Sequence, residues 1–230
     1  MEAVPGPRQL TGADGGFAVE ELTGRAGELH ATDVPASRLV RRCDVDHPAL
    51  ALGSAQRADH VDRRVADALG LDVVKRRSGG GAVLMLPGEM VWVDVVIPAG
   101  DTRWRDDVGA AMWWVGEVWA EALASFGVAG TVHTGPLVRT PWSRQVCFSG
   151  VGPGEVIDPS GAKLVGIAAR RTRRLARFQT MCHLVWRPEL VSALVAGPRP
   201  APAELAPAVA TVPAAPDDLF VALVAALATR

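Results

Sequence analysis

Cysteine is scarce in this sequence, and long apolar runs are missing. The three cysteines, Cys43, Cys147 and Cys182, are odd in number and widely spaced, so they predict neither a disulfide framework nor a zinc site. A reduced, cytoplasmic setting suits them better. No apolar stretch reaches the roughly 18 residues of a membrane-spanning helix, so none is expected. The start of the chain lacks a basic segment followed by an apolar run, and we expect no signal peptide.

A strong charge of one sign and the usual motifs of metal or hydrolase chemistry are missing as well. The formal net charge is −1, which gives no overall attraction for nucleic acid or an anionic membrane. The five histidines show no His-x-x-x-His spacing, so no metal site is predicted. No serine occurs in a Gly-x-Ser-x-Gly motif, which argues against an α/β-hydrolase. Any anion-binding site must therefore be local.

The remaining composition is typical of a globular protein. The chain has 230 residues, of which 49% are hydrophobic and 21% charged. We expect strands at 38–43, 49–53, 71–75, 82–86, 91–98, 144–150, 162–170 and 178–186, and helices at 17–29, 58–69, 108–126, from 188 and at 219–227. The strands at 82–86 and 91–98 are expected to form a hairpin around a Pro-Gly turn. Because hairpins outnumber strand–helix–strand crossovers, the order predicts an α+β fold with a mixed, largely antiparallel sheet.

Proline marks a change of composition near the end of the chain. Residues 197–216 contain six prolines and many alanines, which is typical of a linker. We therefore expect a catalytic or binding domain at 1–196, a Pro/Ala-rich linker at 197–216 and a short terminal helix within 217–230.

The sharpest local motif is a glycine-rich turn, RRSGGG at 76–81, between two predicted strands; it is called the glycine loop below. Three consecutive glycines let the backbone approach a ligand and point N–H groups at an anion. Arg76 and Arg77 belong to the loop, and a guanidinium suits phosphate or carboxylate. A flexible hairpin loop with solvated arginines explains the pattern equally well. The motif is not a Walker loop, since no Gly-Lys-Ser/Thr follows it.

A second motif, SGAKLVGIAARRTR at 160–173, contains Lys163, the only lysine after Lys75. A strand lysine close to a phosphate-binding loop can neutralise negative charge in a transition state, although edge-strand lysines that guard against aggregation are common. The arginines at 170, 171, 173, 174 and 177 have no acid among them. Such a run is usually a solvated face; contact with an acidic partner domain is the alternative.

Together these motifs resemble the lipoate–protein ligase A group of the biotin/lipoate protein ligase family. The resemblance lies in RRSGGGAV and, later, GAKLVGIAARRTR, in PALALGSAQ (48–56) with its Gly-x-x-Gln turn, and in VCFSGVGPGEV (146–156) before the lysine. It covers residues 38–195. It implies a class II synthetase/biotin ligase-like core. The implied enzyme activates lipoate or octanoate with ATP to an acyl-adenylate and passes the acyl group to a lysine of a lipoyl-carrier domain.

The resemblance also assigns candidate residues. Lys163 would be the catalytic residue, where it neutralises charge on the α-phosphate and the acyl oxygen. Gly53 would end the strand that walls the acyl tunnel, and the glycine loop would cradle the acyl-adenylate. The candidates for binding substrate or adenylate are Arg76, Arg77, Ser78, Gly79, Gly80, Gly81, Ala82, Gly53 and Gly166. Mg²⁺ would arrive with the ATP phosphates, held by few protein carboxylates.

Two departures from the family pattern keep other functions open. After GGGAV the family usually has an aromatic residue and then His-Asp, whereas this chain has Leu84, Met85 and Leu86. The proline-rich segment and the final helix also stand where many such ligases carry an accessory domain. One alternative is an ATP-independent octanoyltransferase that forms a cysteine thioester, although Cys147 and Cys182 each fit a buried structural cysteine better. The other is a non-catalytic acyl- or nucleotide-binding module.

Overall fold

The computed structural model describes residues 16–229. The strands are β1 (Ala18–Gly24), β2 (Leu39–Val45), β3 (Ala49–Leu52), β4 (Asp72–Lys75), β5 (Val83–Met85), β6 (Met90–Pro98), β7 (Thr131–Val132), β8 (Val156–Ile157), β9 (Lys163–Arg171) and β10 (Leu175–His183). The helices are α1 (Ala26–Ala31), α2 (Arg63–Ala68), α3 (Trp113–Ala124), α4 (Pro188–Leu194), α5 (Pro202–Leu205) and α6 (Pro216–Ala228). Within these residues no helix combines the length and the apolar character needed to cross a membrane.

The strands form two sheets. The larger sheet has seven strands in the order β1-β2-β6-β10-β9-β8-β7, and its pairs are antiparallel except for β1 and β2. The smaller sheet has the order β4-β3-β5, in which β3 runs parallel to β4 and antiparallel to β5. The predicted α+β fold with a mixed, largely antiparallel sheet is confirmed.

Strand β6 lies in the interior of the large sheet, where all of its residues except Pro98 are buried and Asp94 is its one charged residue. Alternate residues of a strand face opposite sides of a sheet. Val91, Val93 and Val95 pack with α3 and α6 in one buried cluster. Met90 and Trp92 belong to a second cluster, which includes residues of β3 and β5. The large sheet is therefore a middle layer, with α3 and α6 on one face and the small sheet on the other.

The first part of the described chain differs from expectation. The helix expected at 17–29 is wrong, because the chain forms β1 first and α1 begins only at Ala26. Phe17 and Val19 are both buried in the main core, and their spacing of two residues is that of a strand. The apolar residues here follow the two-residue spacing of a strand and not the spacing of a helix.

The two strands joined by the Pro87-Gly88 turn do not form the expected hairpin. The turn is present, with Gly88 at a φ of +73° and Glu89 N donating to Leu86 O at 3.1 Å. However, β5 pairs with β3, whereas β6 pairs with β2 and β10. The turn thus carries the chain from the small sheet into the large one, which local sequence pattern cannot reveal.

The strand expected at 144–150 is also wrong. Val146 makes only an isolated bridge to Ala82, and a 3₁₀ turn follows at Cys147–Ser149. Gln145 O accepts from Ala82 N at 2.7 Å, and Cys147 N donates to Ala82 O at 3.0 Å. The segment is therefore bound to the end of the glycine loop and does not extend a sheet.

The arginine run divides between interior and surface. Arg177 is buried, and its Nε donates to the buried carboxylate of Asp94 at 2.9 Å. Arg171 stacks on the ring of Trp104 at 4.4 Å. The exposed members of the run are Arg170, Arg173 and Arg174. The run is therefore not one continuous basic face.

The proline-rich segment packs closely against the rest of the described chain. It contains α5, and Leu205 and Val212 are almost fully buried. Ala210 N donates to Lys163 O at 3.0 Å, and Val212 N donates to His183 O at 3.1 Å. Helix α6 then packs on α3 in the main core. The predicted domain boundaries at residues 196 and 216 stay a prediction. The buried residues of α6 belong to the same apolar cluster as α3 and the large sheet.

Candidate functional site

Two adjoining cavities lie where the glycine loop meets the start of β9. The outer cavity has a volume of about 610 Å³ and the inner cavity about 40 Å³. Both are lined by Cys147, Glu155, Ile167 and Ala168, which form the boundary between them. Lys163 and the glycines at 79–81 line the outer cavity. The structure therefore brings the lysine and the glycines of the two sequence motifs to one site.

The inner cavity is mainly apolar. Its walls include Val83, Met85, Trp92, Phe148, Gly166 and Met181. A Cβ on Gly166 would lie 3.0 Å from the ring of Phe148, so glycine lets this ring lie against β9. Apolar walls of this kind suit an aliphatic chain.

One corner of the inner cavity is polar. Ser78 Oγ donates to Gln179 Oε1 at 3.0 Å, and Gln179 Nε2 lies 3.3 Å from His30 Nδ1. Burial, and then the charges of Arg76 and Arg177, lowers the pKa of His30 to about 3. The imidazole is therefore neutral at pH 7, and Gln179 is the donor in its contact with Nδ1.

The glycine loop is held by contacts that only glycine permits. A Cβ on Gly53, at the end of β3, would lie 1.9 Å from Gly80 O. A Cβ on Gly81 would lie 2.6 Å from Cys147 N. Gly80 has a φ of +96°, which residues with a side chain rarely adopt. The N–H groups of Gly79, Gly80 and Gly81 have no acceptor among the described residues.

The two arginines of the loop have different surroundings. Arg76 is buried, and its Nη2 donates to Gly79 O at 2.6 Å and to Gly81 O at 2.9 Å. Its guanidinium thus braces the loop from within and lines the inner cavity. Arg77 is half-exposed, lies 3.8 Å from Asp33 and lines neither cavity. The structure therefore places only Arg76 at the site.

Lys163 is the first residue of β9 and is 1% exposed. Its Nζ lies 2.8 Å from Glu155 Oε2 and donates to Cys147 O at 3.1 Å. It also lies 5.0 Å from the centre of the Phe148 ring. An ammonium has three N–H donors, so one is left for an oxygen of a bound molecule.

Glu155 is a residue of the site that the sequence did not single out. Besides Lys163, it accepts from Gly152 N at 2.6 Å and from Ile167 N at 3.2 Å. The quoted motif VCFSGVGPGEV contains it, but no spacing rule identified it as the partner of the lysine. Because β8 and β9 are paired, the loop before β8 brings Glu155 back to the start of β9.

Gln56 is a second residue whose role follows from the structure. Its Oε1 accepts from Gly53 N at 2.9 Å, and its Nε2 donates to Arg144 O at 3.1 Å. It therefore ties the end of β3 to the segment before Cys147. The Gly-x-x-Gln turn of the sequence was the signal for this contact.

Cys147 differs from the other two cysteines in its surroundings. It lines both cavities, is partly exposed, and its Sγ lies 3.6 Å from Arg76 Nη2. Cys182 is fully buried, and burial raises the pKa of its thiol to about 12. Burial also raises the pKa of Cys43 well above its usual value. Cys147 is the cysteine that a molecule in the cavities can contact.

Comparison with a family model shows the family of the chain, and comparison with solved structures shows its fold. The sequence profile of the lipoyl protein ligase A/B catalytic domain matches residues 29–198. A putative lipoate protein ligase from T. acidophilum with bound lipoic acid is 18% identical, with a TM-score of 0.68 over 91% of this chain and 83% of that chain. A lipoate-protein ligase A bound with ATP is 17% identical, with a TM-score of 0.67 over 91% and 82%. At these identities the structural likeness shows the fold. No curated protein matches the sequence significantly.

A further similar structure belongs to an archaeal lipoylation system. It is an archaeal bipartite lipoate protein ligase and its E2 lipoyl domain from T. acidophilum, 18% identical, with a TM-score of 0.66 over 90% of this chain and 80% of that chain. The P. falciparum LipL1 in complex with lipoate is 10% identical, with a TM-score of 0.65 over 91% and 60%.

Proposed function

The chain belongs to the family of lipoyl protein ligase A/B catalytic domains, and on that premise we propose that it transfers a lipoyl or octanoyl group to a lysine of a carrier protein. The observation that carries the proposal is the common cavity of Lys163 and the glycine loop beside a smaller apolar cavity. The acyl chain lies between the apolar walls of the inner cavity, which must widen beyond its volume of about 40 Å³ to hold the whole chain. Its carboxyl carbon lies at the boundary near Cys147. The acceptor lysine enters through the outer cavity.

Lys163 stabilises the negative charge that develops on the acyl oxygen when an amine attacks. Glu155 and Cys147 O fix the position of its Nζ, so the remaining N–H needs little reorganisation to reach that oxygen. Fixed donors at a site with little water are a major source of rate enhancement. Lys163 is not the nucleophile in this scheme, because its ammonium is paired with a carboxylate.

ATP activates the acid in the first route. The carboxylate oxygen attacks the α-phosphate, pyrophosphate leaves, and an acyl-adenylate forms. The neutral amine of the carrier lysine then attacks the acyl carbon and AMP leaves. The free N–H groups of the glycine loop would hold the adenylate phosphate. The similar structures bound to lipoic acid or ATP support this route.

Mg²⁺ fits this route as a companion of ATP. The residues 16–229 contain no group of three His, Cys, Asp or Glu side chains that could hold a metal ion. The Glu155 carboxylate at the site is already engaged with Lys163. The ion would therefore take most of its ligands from the ATP phosphates and water, which is the usual arrangement for Mg²⁺.

Cys147 supports a second route, without ATP. Cys147 loses its thiol proton and attacks the carbonyl of an acyl thioester on a donor carrier, the bond to the donor sulfur breaks, the donor leaves as a thiol that takes up that proton, and an enzyme thioester forms. The carrier lysine amine then attacks that thioester and Cys147 leaves as the thiol. The position of Sγ at the boundary of the two cavities, 3.6 Å from the Arg76 guanidinium, favours this cysteine over Cys182. A reduced cytoplasmic location is part of the proposal, since this thiol must stay free.

An acyl-transfer assay on an unmodified lipoyl domain tests both routes. Intact mass of the lipoyl domain is measured with lipoate or octanoate plus ATP, and with an octanoyl thioester of acyl carrier protein without ATP. Lys163→Ala should abolish acyl transfer by whichever of the two routes the wild-type protein uses. Lys75→Ala, which removes an exposed lysine of β4, should leave acyl transfer unchanged. Full activity of folded Lys163→Ala would overturn the site assignment.

The cysteine variants then separate the routes. Transfer from the thioester that is lost in Cys147→Ala but kept in Cys182→Ala identifies the second route. ATP-dependent transfer that survives Cys147→Ala identifies the first. Tight acid binding without transfer from either donor would leave a non-catalytic binding module.

A further inference from the structure

Two arginines on the wall of the outer cavity are not used by the scheme above. Arg139 and Arg144 line this cavity and are exposed. Among the described residues neither guanidinium makes an ion pair, a hydrogen bond or a ring contact. Most other arginines close to this site are engaged, as Arg76 is with the loop carbonyls.

The outer cavity has an excess of positive charge. The ionised side chains in its walls are Arg139, Arg144, Lys163 and Glu155. The carboxylate of Glu155 is bound to Lys163, so the described walls offer no acid to the two guanidinium groups. A concave surface lined by one sign of charge concentrates ligands of the opposite sign.

The segment that carries the two arginines is fixed by its own hydrogen bonds. Val138 and Val151 exchange two backbone bonds, at 2.8 and 3.0 Å. Thr140 N donates to Ser143 Oγ at 2.6 Å, and Arg144 O accepts from Gln56. The backbone at both arginines is therefore held before a ligand arrives, which lowers the entropy lost on binding.

Gly79, Gly80 and Gly81, whose N–H groups have no acceptor among the described residues, line the same cavity. The acyl carboxyl group has its place at Lys163, at the boundary with the inner cavity. Two guanidinium groups and the loop N–H groups then remain for a second anionic group. A phosphate ester fits them, because it has several charged acceptor oxygens and guanidinium binds phosphate in a fork geometry.

We infer that Arg139 and Arg144 bind a phosphate group of the activated acyl donor. The inference rests on the proposed function and specifies its donor class. The phosphate belongs either to an acyl-adenylate and its parent ATP, or to the phosphopantetheine arm that carries an acyl thioester. A donor without phosphate is then a poor substrate for the same chemistry.

A pair of matched donors tests this inference. Transfer rates are measured with octanoyl-phosphopantetheine and octanoyl-pantetheine, which differ only in the phosphate, and with octanoate plus ATP. Arg139→Ala/Arg144→Ala should raise the KM for the phosphorylated donor by about tenfold or more, with kcat and the rate with octanoyl-pantetheine unchanged. The charge-matched control is Arg173→Ala/Arg174→Ala, which removes two exposed arginines that line neither cavity. Its KM should stay at the wild-type value.

The outcomes distinguish the phosphate source from a failure of the inference. If the KM of Arg139→Ala/Arg144→Ala rises only for octanoyl-phosphopantetheine, the bound phosphate belongs to a carrier arm. If the double variant is impaired only with octanoate and ATP, the phosphate belongs to the adenylate. Equal use of both thioesters by the wild type together with an unchanged ATP reaction in the double variant would overturn the inference. If the wild type transfers no acyl group, the proposed function fails, and calorimetric binding of AMP and phosphopantetheine decides the inference separately. Binding that is equal in the wild type and the double variant would then refute it.

Discussion

Lys163 Nζ lies 2.8 Å from Glu155 Oε2, and neither side chain is more than 7% exposed. The second carboxylate oxygen of Glu155 accepts from Ile167 N on the same strand as the lysine. The ion pair therefore joins the loop before β8 to β9 at two points. It fixes the ammonium in the wall of the outer cavity, in contact with the boundary residues Glu155 and Cys147.

The first prediction concerns the removal of the carboxylate charge from this pair. Glu155→Gln leaves a buried ammonium without its counter-charge, which costs more than the pair itself contributes. We expect the free energy of unfolding at pH 7 to fall by about 3–5 kcal/mol, measured by urea denaturation. Glu189→Gln, at an exposed position of α4, is the control and should change it little. Lys163→Met in the Glu155→Gln background should restore part of the stability, and a double variant less stable than Glu155→Gln would contradict this account.

The second prediction compares two glycines near the loop. Gly53→Ala places a Cβ 1.9 Å from Gly80 O, a backbone atom that cannot move alone, whereas a Cβ on Gly79 meets nothing within 4 Å. We expect Gly53→Ala to destabilise the fold by about 1–3 kcal/mol and to weaken lipoate or octanoate binding, measured by calorimetry. Gly79→Ala should behave like the wild type in both measurements. Equal effects of the two substitutions would refute the packing role of Gly53.

The position of these glycines also shows what the sequence predicts well. RRSGGG and Lys163 were candidates because of their residue types and the family resemblance, and the structure brings Lys163 and the three glycines to one cavity. Their roles in binding and catalysis stay predictions. The central strands, such as β6, were predictable because a long apolar run between turns has few alternatives.

The errors in the sequence prediction have a common physical origin. The partner of a strand and the partner of a lysine depend on contacts distant in sequence. The pairing of β5 with β3, and of Glu155 with Lys163, leaves no local pattern. Arg76 and Arg77 are adjacent and chemically alike, yet one braces the loop and the other faces solvent. Only the path of the backbone separates them.

The third prediction is a loss of stability at acidic pH. Burial lowers the pKa of His30 to about 3 and that of His183 to about 4, whereas an unfolded histidine titrates near pH 6.5. As the pH falls from about 6.5 to 4, the unfolded chain therefore binds protons that the folded chain does not, and the free energy of unfolding decreases. Each histidine contributes a slope of up to about 1.4 kcal/mol per pH unit.

His30→Gln measures the share of one histidine in this pH dependence. Urea denaturation between pH 7 and 4 should give a shallower slope for His30→Gln than for the wild type. His60→Gln, at an exposed position, should retain the wild-type slope. A slope unchanged by His30→Gln would mean that His30 is not held neutral in the folded state.

The fourth prediction concerns thiol reactivity. Alkylation requires an accessible thiolate, and Cys147 is partly exposed beside the Arg76 guanidinium, whereas Cys43 and Cys182 are buried with raised pKa values. Under native conditions iodoacetamide should therefore modify Cys147 about tenfold or more faster than the other two, as measured by peptide mass mapping. Because Cys147 lines both cavities, saturating octanoate or lipoate should slow its modification. Cys147→Ser should show almost no rapid labelling, and labelling of Cys147 that is indifferent to both acids would place the acyl chain elsewhere.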